Sequence, residues 1–338
     1  MMLRFGRFRR RAVNIAFEER DPPMKIQAPD FDLEKTLNSG QVFHWKKIDN
    51  EFIGTVGDVA ISVQQNADAL KVRAGGSQLD CFKQSSTRGR EHDRRSLGRI
   101  VAHYFALDHP LAGICASFPK DEVMKAAQKF CRGLRIIRQP KWECLATFIC
   151  SSMKQVAHIR QISLALRERF GESRRIDNHT IFTFPSAERI AVSSEKELQK
   201  CALGYRAKNL LATARLVTTG DVDLERMSAM ADVELRAKLC ELPGVGAKVA
   251  NCVMLFAYER LRAFPIDIWI ERVLREKYFP RARKLNAARL HAFTQEYFGE
   301  HGGYAQQYLF HHARMSKSKR KIQKKSREGL AHLSRHGG

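Results

Sequence analysis

The spacing of the apolar residues changes once along this chain, and that change limits the folds it can adopt. From Met24 to Ala74 the apolar residues fall in short alternating runs separated by turn signals, which is typical of an antiparallel meander. After about residue 100 the spacing becomes helical and stays so to about residue 315. We therefore predict an α+β fold, with a small N-terminal antiparallel sheet followed by a mainly α-helical domain.

The same patterns predict individual elements and their boundaries. Strands are expected at residues 41–47, 51–56, 59–64 and 69–74. Residues 77–100 are rich in Ser and Arg and should form a surface loop leading into a helix. Helices are expected at 120–131, 142–170, 195–203, 206–217, 231–240, 247–258, 268–278, 287–298 and 304–315. The predicted organisation is a basic disordered extension (1–23), a sheet domain (24–105), a helical domain (106–315) and a basic disordered tail (316–338).

The charge balance indicates a polyanionic partner. Lys and Arg number 59 and Asp and Glu 36, a formal net charge of +23, so nucleic acid or an acidic membrane surface is the expected partner. No apolar stretch reaches the ~18 residues that a membrane-spanning helix needs, which excludes that class. Residues 1–12 carry five basic and no acidic residues and residues 312–338 nine basic and one acidic, so 13 of the 23 charges lie in the two ends.

The eight cysteines form no CxxC pair and no iron–sulfur or zinc spacing. We interpret them as reduced thiols of an intracellular protein, and no iron–sulfur cluster or redox cofactor is implied.

Residues 240–267 contain the pattern with the most chemical content. A helix ending near Cys240 and another beginning at Ala247 flank the sequence Leu-Pro-Gly-Val-Gly, which predicts a helix-hairpin-helix. Gly244 and Gly246 allow a sharp turn and close approach to an anion, and the first N–H groups of the second helix are unpaired. In a basic protein the expected anion is a DNA phosphate.

Lys248 and Asp267 each have two open interpretations. Lys248 lies one residue inside the second helix, off its apolar stripe, with Cys252 one turn later on the same face. A lysine there opposes the helix dipole, and spacing alone favours a phosphate contact over a nucleophile. Asp267 precedes a new helix, where an N-cap is its simplest role. A capping aspartate aimed at a lysine could also support a cationic transition state.

The segment LPGVGAK, with Asp267 following in FPID, resembles the helix-hairpin-helix DNA glycosylase superfamily. Four further blocks are similar to 8-oxoguanine DNA glycosylases: NSGQVFHW (38–45), ECLATFICSS (143–152), LGYRAK (203–208) and GYAQQYLF (303–310). Because the five blocks occur in the same order, they are far more specific than one hairpin. The resemblance implies a base-excision repair enzyme that removes 8-oxoguanine and related oxidised purines from duplex DNA and then nicks the abasic strand.

The resemblance also implies catalytic roles. Lys248 would attack C1′ of the damaged nucleotide, form a Schiff base and allow β-elimination of the 3′ phosphate. The attacking amine must be neutral, so its pKa must lie well below the ordinary value of about 10.4. Asp267 would stabilise the developing oxocarbenium charge.

The base pocket follows from the same resemblance. Gln306 would bind the Watson–Crick edge of the flipped base, Phe310 and Cys252 would sandwich its faces, and the Gly40 carbonyl would accept the N7–H of the oxidised purine. Taken singly, these residues also fit core packing, a surface helix or a turn, and only their joint order favours a pocket.

The DNA surface shows both matches and departures. Tyr205 and Arg206 match the residues that wedge the duplex and hold the unpaired cytosine. Met153 and His158 stand where animal enzymes have an Asn and an Arg that recognise this cytosine, so weaker discrimination for cytosine is expected. Trp269 replaces a phosphate-contacting His, with Ala313 in place of its Asp partner, and packing is the favoured role of Trp269.

Further DNA contacts are implied at Gly244, Gly246 and Val249. The carbonyls of Cys240, Leu242 and Val245 match those that bind a structural monovalent or divalent cation, and no other cofactor is expected. The expected partner is double-stranded DNA containing an oxidised purine, bound by a monomer in the nucleoid or nucleus.

Two other classes of protein remain open from the sequence. A non-catalytic helix-hairpin-helix DNA-binding protein explains the charge and the hairpin, but it has no use for Lys248, Asp267 and a purine pocket together. A glycosylase of the alkylated-base type keeps the Asp and lacks the Lys.

Overall fold

The computed structural model describes residues 23–75 and 87–316, and the side chains of 87–94 are not considered. The predicted disordered ends therefore lie outside the described residues, except at residues 23 and 316. Among the described residues, no helix is both long and apolar enough to cross a membrane. The cysteines of this part of the chain are all free.

The N-terminal unit is a five-stranded antiparallel sheet. Its strands are β1 (Met24–Gln27), β2 (Lys46–Ile48), β3 (Glu51–Val56), β4 (Val59–Asn66) and β5 (Ala69–Ala74), in the order β1-β5-β4-β3-β2, with α1 (Leu33–Asn38) between β1 and β2. The hairpins close through two-residue turns that begin at Asp49, Gly57 and Ala67, each with positive φ. The predicted meander is confirmed.

The helical part follows in chain order. It comprises α2 (Thr87–Tyr104), α3 (Leu111–Ala116), α4 (Glu122–Phe130), α5 (Lys141–Cys150), α6 (Val156–Phe170), a hairpin of β6 (Ser173–Ile176) and β7 (His179–Phe182), α7 (Ala187–Ala191), α8 (Glu195–Gln199), α9 (Arg206–Thr219), α10 (Asp232–Cys240), α11 (Ala247–Ala257), α12 (Ile268–Val273), α13 (Ala287–Tyr297) and α14 (302–316). A π-helical turn, Leu274–Tyr278, continues α12.

Two local predictions were wrong, and some short elements were missed. The strand expected at 41–47 is found only at 46–48, and the buried residues 41–45 before it form no strand. The single helix expected at 142–170 is divided by a turn at 151–155, where Met153 has φ of 54°. The hairpin β6–β7 was not predicted, since its short strands are rich in charged and polar residues.

A buried ion pair joins the sheet to the helical part. Arg167 on α6 donates to the Thr55 hydroxyl on β3 at 2.9 Å and pairs with Glu143 on α5. Every residue of α5 from Glu143 to Cys150 is buried. The helix that leads to the turn at 151–155 is thus fixed along its length and at its junction with the sheet.

Candidate active site

The hairpin between α10 and α11 has the geometry of an anion site. Gly244 has φ of 80°, and a Cβ there would lie 2.7 Å from Asn209 Nδ2, so glycine is required on both counts. Gly246 is the N-cap of α11, and the first helical bond runs from Ala250 N to Gly246 O at 2.9 Å. The side chain of Val249 is buried, so only its backbone N–H is available to a phosphate.

Lys248 is half-buried at the start of α11 and faces the end of α5. Its Nζ donates to Ser151 Oγ at 3.2 Å and lies 5.2 Å from the ring centroid of Phe148. The Ser151 hydroxyl itself donates to the Phe148 carbonyl at 2.7 Å. Phe148 stacks on Phe256, with centroids 5.5 Å apart and an interplanar angle of 9°. The lysine amine is therefore held between a hydroxyl acceptor and a fixed aromatic face.

Asp267 caps α12 and also belongs to the surroundings of Lys248. Its Oδ1 accepts from the backbone N–H groups of Trp269 at 3.0 Å and Ile270 at 2.9 Å. Burial raises the pKa of the carboxyl above its ordinary value, while the Ile270 N–H, the positive charge of Lys248 and the Trp269 N–H act in the opposite direction. The two interpretations that the sequence left open, helix cap and lysine neighbour, thus apply to Asp267 together.

Gln306 lies on the same face of α14 as Phe310, and its side-chain amide has an unusual environment. The side chain is 4% exposed, and among the described residues its Oε1 is buried without a hydrogen-bond partner. Phe310, one turn later, is also buried. A buried amide oxygen without a donor is a costly arrangement that a ligand N–H would relieve.

Gly40 lies against Phe310, whereas Cys252 lies on the helix that carries Lys248. Gly40 has φ of 91°, and a Cβ there would lie 3.1 Å from Phe310 Cε1, so a larger residue would meet that ring. Cys252 is buried one turn after Lys248, and burial raises its thiol pKa to about 11, although the Lys248 charge opposes the shift. The sulfur is therefore a neutral thiol at physiological pH.

Met153 and Tyr205 are exposed apolar side chains joined through Arg206. Met153 is 91% and Tyr205 60% exposed. Arg206 is buried, donates from Nε to the Ser152 carbonyl at 2.8 Å, and lies 4.3 Å from the Tyr205 ring centroid. His158 is exposed on α6. Arg206 thus holds the turn that presents Met153, which is a contact that the sequence did not indicate.

Trp269 packs partly against the helical core, with the Arg272 guanidinium 5.8 Å from its ring centroid, and Ala313 is half-buried on α14. In the hairpin, the Leu242 carbonyl accepts from the Val245 N–H at 3.0 Å and keeps a second lone pair. The predicted cation at the carbonyls of Cys240, Leu242 and Val245 stays a prediction.

Several contacts of the site were missed at the level of sequence. Ser151 and Phe148 lie within the segment 143–152 that resembles 8-oxoguanine DNA glycosylases, but nothing in the residue spacing showed that they face Lys248. Gln307 and Arg314 were also missed, although Gln306, Phe310 and Arg314 are four residues apart and so share one helix face.

Comparison with known proteins bears on this arrangement. Residues 23–145 match the family model for the N-terminal domain of 8-oxoguanine DNA glycosylase, and residues 146–295 match the HhH-GPD superfamily of base excision DNA repair proteins. N-glycosylase/DNA lyase OGG1 of Arabidopsis thaliana is 31% identical over 305 residues, which cover 85% of this chain and 79% of that protein. The chain belongs to the 8-oxoguanine DNA glycosylase family.

Two further relatives of this 8-oxoguanine DNA glycosylase family member match it over nearly their whole length. A probable N-glycosylase/DNA lyase of Methanothermobacter thermautotrophicus is 28% identical, covering 87% of this chain and 96% of that protein. The 8-oxoguanine glycosylase/lyase of Clostridium acetobutylicum, solved with double-stranded DNA containing cytosine opposite 8-oxoG, is 27% identical with a TM-score of 0.77, covering 89% of this chain and 98% of that one. The family assignment therefore spans both the sheet and the helical part.

Proposed function

We propose that this protein removes 8-oxoguanine from double-stranded DNA inside the cell and then cleaves the abasic strand. The observation that carries the proposal is the buried Gln306 Oε1, which has no partner among the described residues. An unsatisfied buried acceptor costs roughly 1–3 kcal/mol, and the Watson–Crick edge of a flipped guanine offers N–H donors that satisfy it. A protein that only holds DNA phosphates has no use for such a group.

The pocket distinguishes the oxidised purine by the proton on N7. Phe310 and the neutral thiol of Cys252 supply apolar contacts for the faces of the base. The Gly40 carbonyl accepts the N7–H that 8-oxoguanine carries and guanine lacks. In undamaged guanine the N7 lone pair would instead face the carbonyl oxygen, and that repulsion favours the lesion.

Lys248 supplies the nucleophile. Its neutral amine attacks C1′, the N-glycosidic bond breaks, and the base leaves with the bonding electron pair and takes up a proton. The sugar ring then opens to a Schiff base, loss of a C2′ proton expels the 3′ phosphate, and hydrolysis of the imine frees the amine. Ser151 Oγ and the Phe148 ring hold the amine before attack.

Asp267 stabilises the positive charge that develops on the sugar as the base departs. Its carboxylate is fixed by two backbone N–H groups, so it needs no reorganisation at the moment of reaction. The cost of keeping this charge in a buried place appears as the raised pKa of its carboxyl.

The exposed groups around the pocket bind the duplex. The first N–H groups of α11 bind a phosphate, and Met153 and Tyr205 enter the base stack at the position of the flipped nucleotide. The chain acts as a monomer, and the carbonyls of Cys240, Leu242 and Val245 would hold a structural cation.

Borohydride trapping on duplex DNA with one 8-oxoguanine tests the mechanism. The unmodified chain should form a covalent adduct, and Lys248→Gln should abolish both the adduct and strand cleavage. Lys125→Gln is the matched control, because Lys125 is exposed on α4 and pairs with Glu122 of the same helix at 2.9 Å. Retained DNA affinity without an adduct would support a binding protein instead, and strand cleavage by Lys248→Gln would show the mechanism wrong.

A further inference from the structure

Two side chains of α14 outside the roles assigned above bind the loop that carries Gly40. Gln307 Nε2 donates to the Ser39 carbonyl at 3.2 Å, and Arg314 Nη2 donates to the carbonyl of Asn38. Gln307 is 2% exposed, so its hydrogen bond is shielded from water. We infer that Gln307 and Arg314 are positioning residues that hold the Gly40 carbonyl in place for the N7–H of the damaged base. This inference rests on the proposed function.

The carbonyls on both sides of Gly40 are occupied. Those of Asn38 and Ser39 accept from the two α14 side chains, and the Gln41 carbonyl accepts from Gln139 Nε2 at 2.8 Å. These hydrogen bonds fix the backbone on both sides of Gly40 and so determine where its carbonyl points.

Arg314 also links this loop to the aromatic face of the pocket. Its Cζ lies 5.4 Å from the ring centroid of Phe310, a cation–π distance. A Cβ on Gly40 would lie 3.0 Å from Arg314 Nη1 and 3.1 Å from Phe310 Cε1. One guanidinium thus contacts both the loop that accepts the N7–H and the ring that covers a face of the base, and it sets their spacing.

Helix geometry explains why one helix can do this. Gln306, Phe310 and Arg314 are spaced by four residues and lie on one face of α14, with Gln307 beside Gln306. Gln306 and Phe310 are buried, whereas Arg314 is half-buried, so this face of α14 extends from the protein interior toward the surface. The Asp267 carboxylate also lies within electrostatic range of Arg314, where it opposes the lowering of the arginine pKa by burial.

The test separates base recognition from the chemistry at the sugar. Arg314→Met keeps an unbranched side chain but removes the donors and the charge. We expect single-turnover excision of 8-oxoguanine to fall about tenfold, because a carbonyl displaced by a fraction of an ångström loses its hydrogen bond. β-Elimination on a preformed abasic duplex should stay near that of the unmodified chain, since no purine enters the pocket. Gln307→Leu should show the same pattern.

Two further variants serve as references. Arg314→Lys retains a donor for the Asn38 carbonyl and should recover part of the excision rate. Arg132→Ala is the matched control for loss of an arginine, since its side chain is 85% exposed and it pairs with Asp30 at 3.8 Å. It should excise at the rate of the unmodified chain.

The outcomes distinguish this inference from the function on which it rests. Excision by Arg314→Met at the unmodified rate would overturn the positioning role. An equal loss of excision and abasic-site cleavage would also overturn it, because it would indicate a general structural effect. If the unmodified chain cleaves abasic DNA but excises no 8-oxoguanine, the proposed function itself fails.

Discussion

Asp267 meets two requirements that oppose each other. As the N-cap of α12 it needs only an oxygen acceptor, whereas its proposed role beside the reacting sugar requires that it stay ionised in a buried place. Asn caps a helix as well as Asp does, so Asp267→Asn removes the charge and keeps the cap.

We therefore expect Asp267→Asn to be more stable than the unmodified chain at pH 7.5 and to lose excision. Because the folded pKa of this carboxyl lies above its unfolded value, the ionised group opposes folding at neutral pH. The stability gain, a rise in Tm of about 2 °C, should vanish as the pH falls through the raised pKa toward the unfolded value.

Thermal unfolding at a series of pH values measures this difference. Asp32→Asn is the control, because Asp32 caps α1 in the same way but lies near the surface and pairs with Lys35. An equal gain in both variants, or a gain in Asp267→Asn that persists at pH 3, would contradict the explanation.

Cys252 should be chemically inert although it lies one turn after Lys248, the proposed nucleophile. A thiol pKa of about 11 leaves almost no thiolate at pH 7.5, and the side chain is 4% exposed. Alkylation of the native protein with N-ethylmaleimide, followed by mass spectrometry, should label the exposed Cys240 and spare Cys252. Equal labelling of the two cysteines would contradict this prediction, because it would show that the reagent reaches Cys252 and that its thiol ionises.

At the scale of elements, the turn between α5 and α6 presents Met153, the residue that we propose enters the duplex. Met153 has a left-handed backbone conformation that costs a non-glycine residue about 1–2 kcal/mol, and the buried Arg206 fixes the preceding carbonyl. An exposed methionine held in this way is suited to act as a wedge that fills space without reading a base edge.

We expect Met153→Ala to slow single-turnover excision about tenfold, by a similar factor opposite all four bases, because the lost contact is apolar. The unmodified chain should also prefer cytosine over adenine less than an animal enzyme measured beside it. Incision gels with each opposite base test both points. Val192→Ala, at another exposed apolar residue, is the control. A loss confined to cytosine would contradict the wedge.

Local patterns predicted most elements but not their junctions. The strands at 51–56 and 69–74 follow from alternation and turn residues, which are local properties. The break at 151–155 depends on a bond from Arg206 to a residue 54 positions away, and no local period records it. In the same way, local patterns located Lys248 and Asp267 and the resemblance implied their catalytic roles, but the contacts of Lys248 with Ser151 and Phe148 were not predicted.

The inward orientation of Arg206 shows why the contacts of the site could not all be predicted from the sequence. The sequence placed this residue at the unpaired cytosine, whereas the structure places its guanidinium on the Ser152 carbonyl in the turn. Its predicted contact with cytosine stays a prediction. The sequence allows an arginine at a helix start to face either solvent or the protein interior. Only the packing of neighbouring residues determines which orientation it takes.

At the scale of the whole molecule, more than half of the net positive charge lies in the two ends of the sequence. The ends at 1–12 and 312–338 hold 13 of the 23 net charges. Each phosphate neutralised by a basic residue releases counterions, so these ends contribute affinity that falls with salt and is independent of the lesion. In the proposed function, recognition of the base comes instead from the buried neutral groups Gln306, Phe310 and Cys252.

A chain ending at residue 316 tests this division. It lacks eight basic residues and one acidic residue, and we expect weaker binding to undamaged duplex at 50 mM salt with a shallower slope of log affinity against log salt. Single-turnover excision of 8-oxoguanine at saturating protein should be unchanged, because every residue of the pocket is retained. Fluorescence anisotropy over a salt series measures the slope, and a slope equal to that of the full chain would place the phosphate contacts on the body instead.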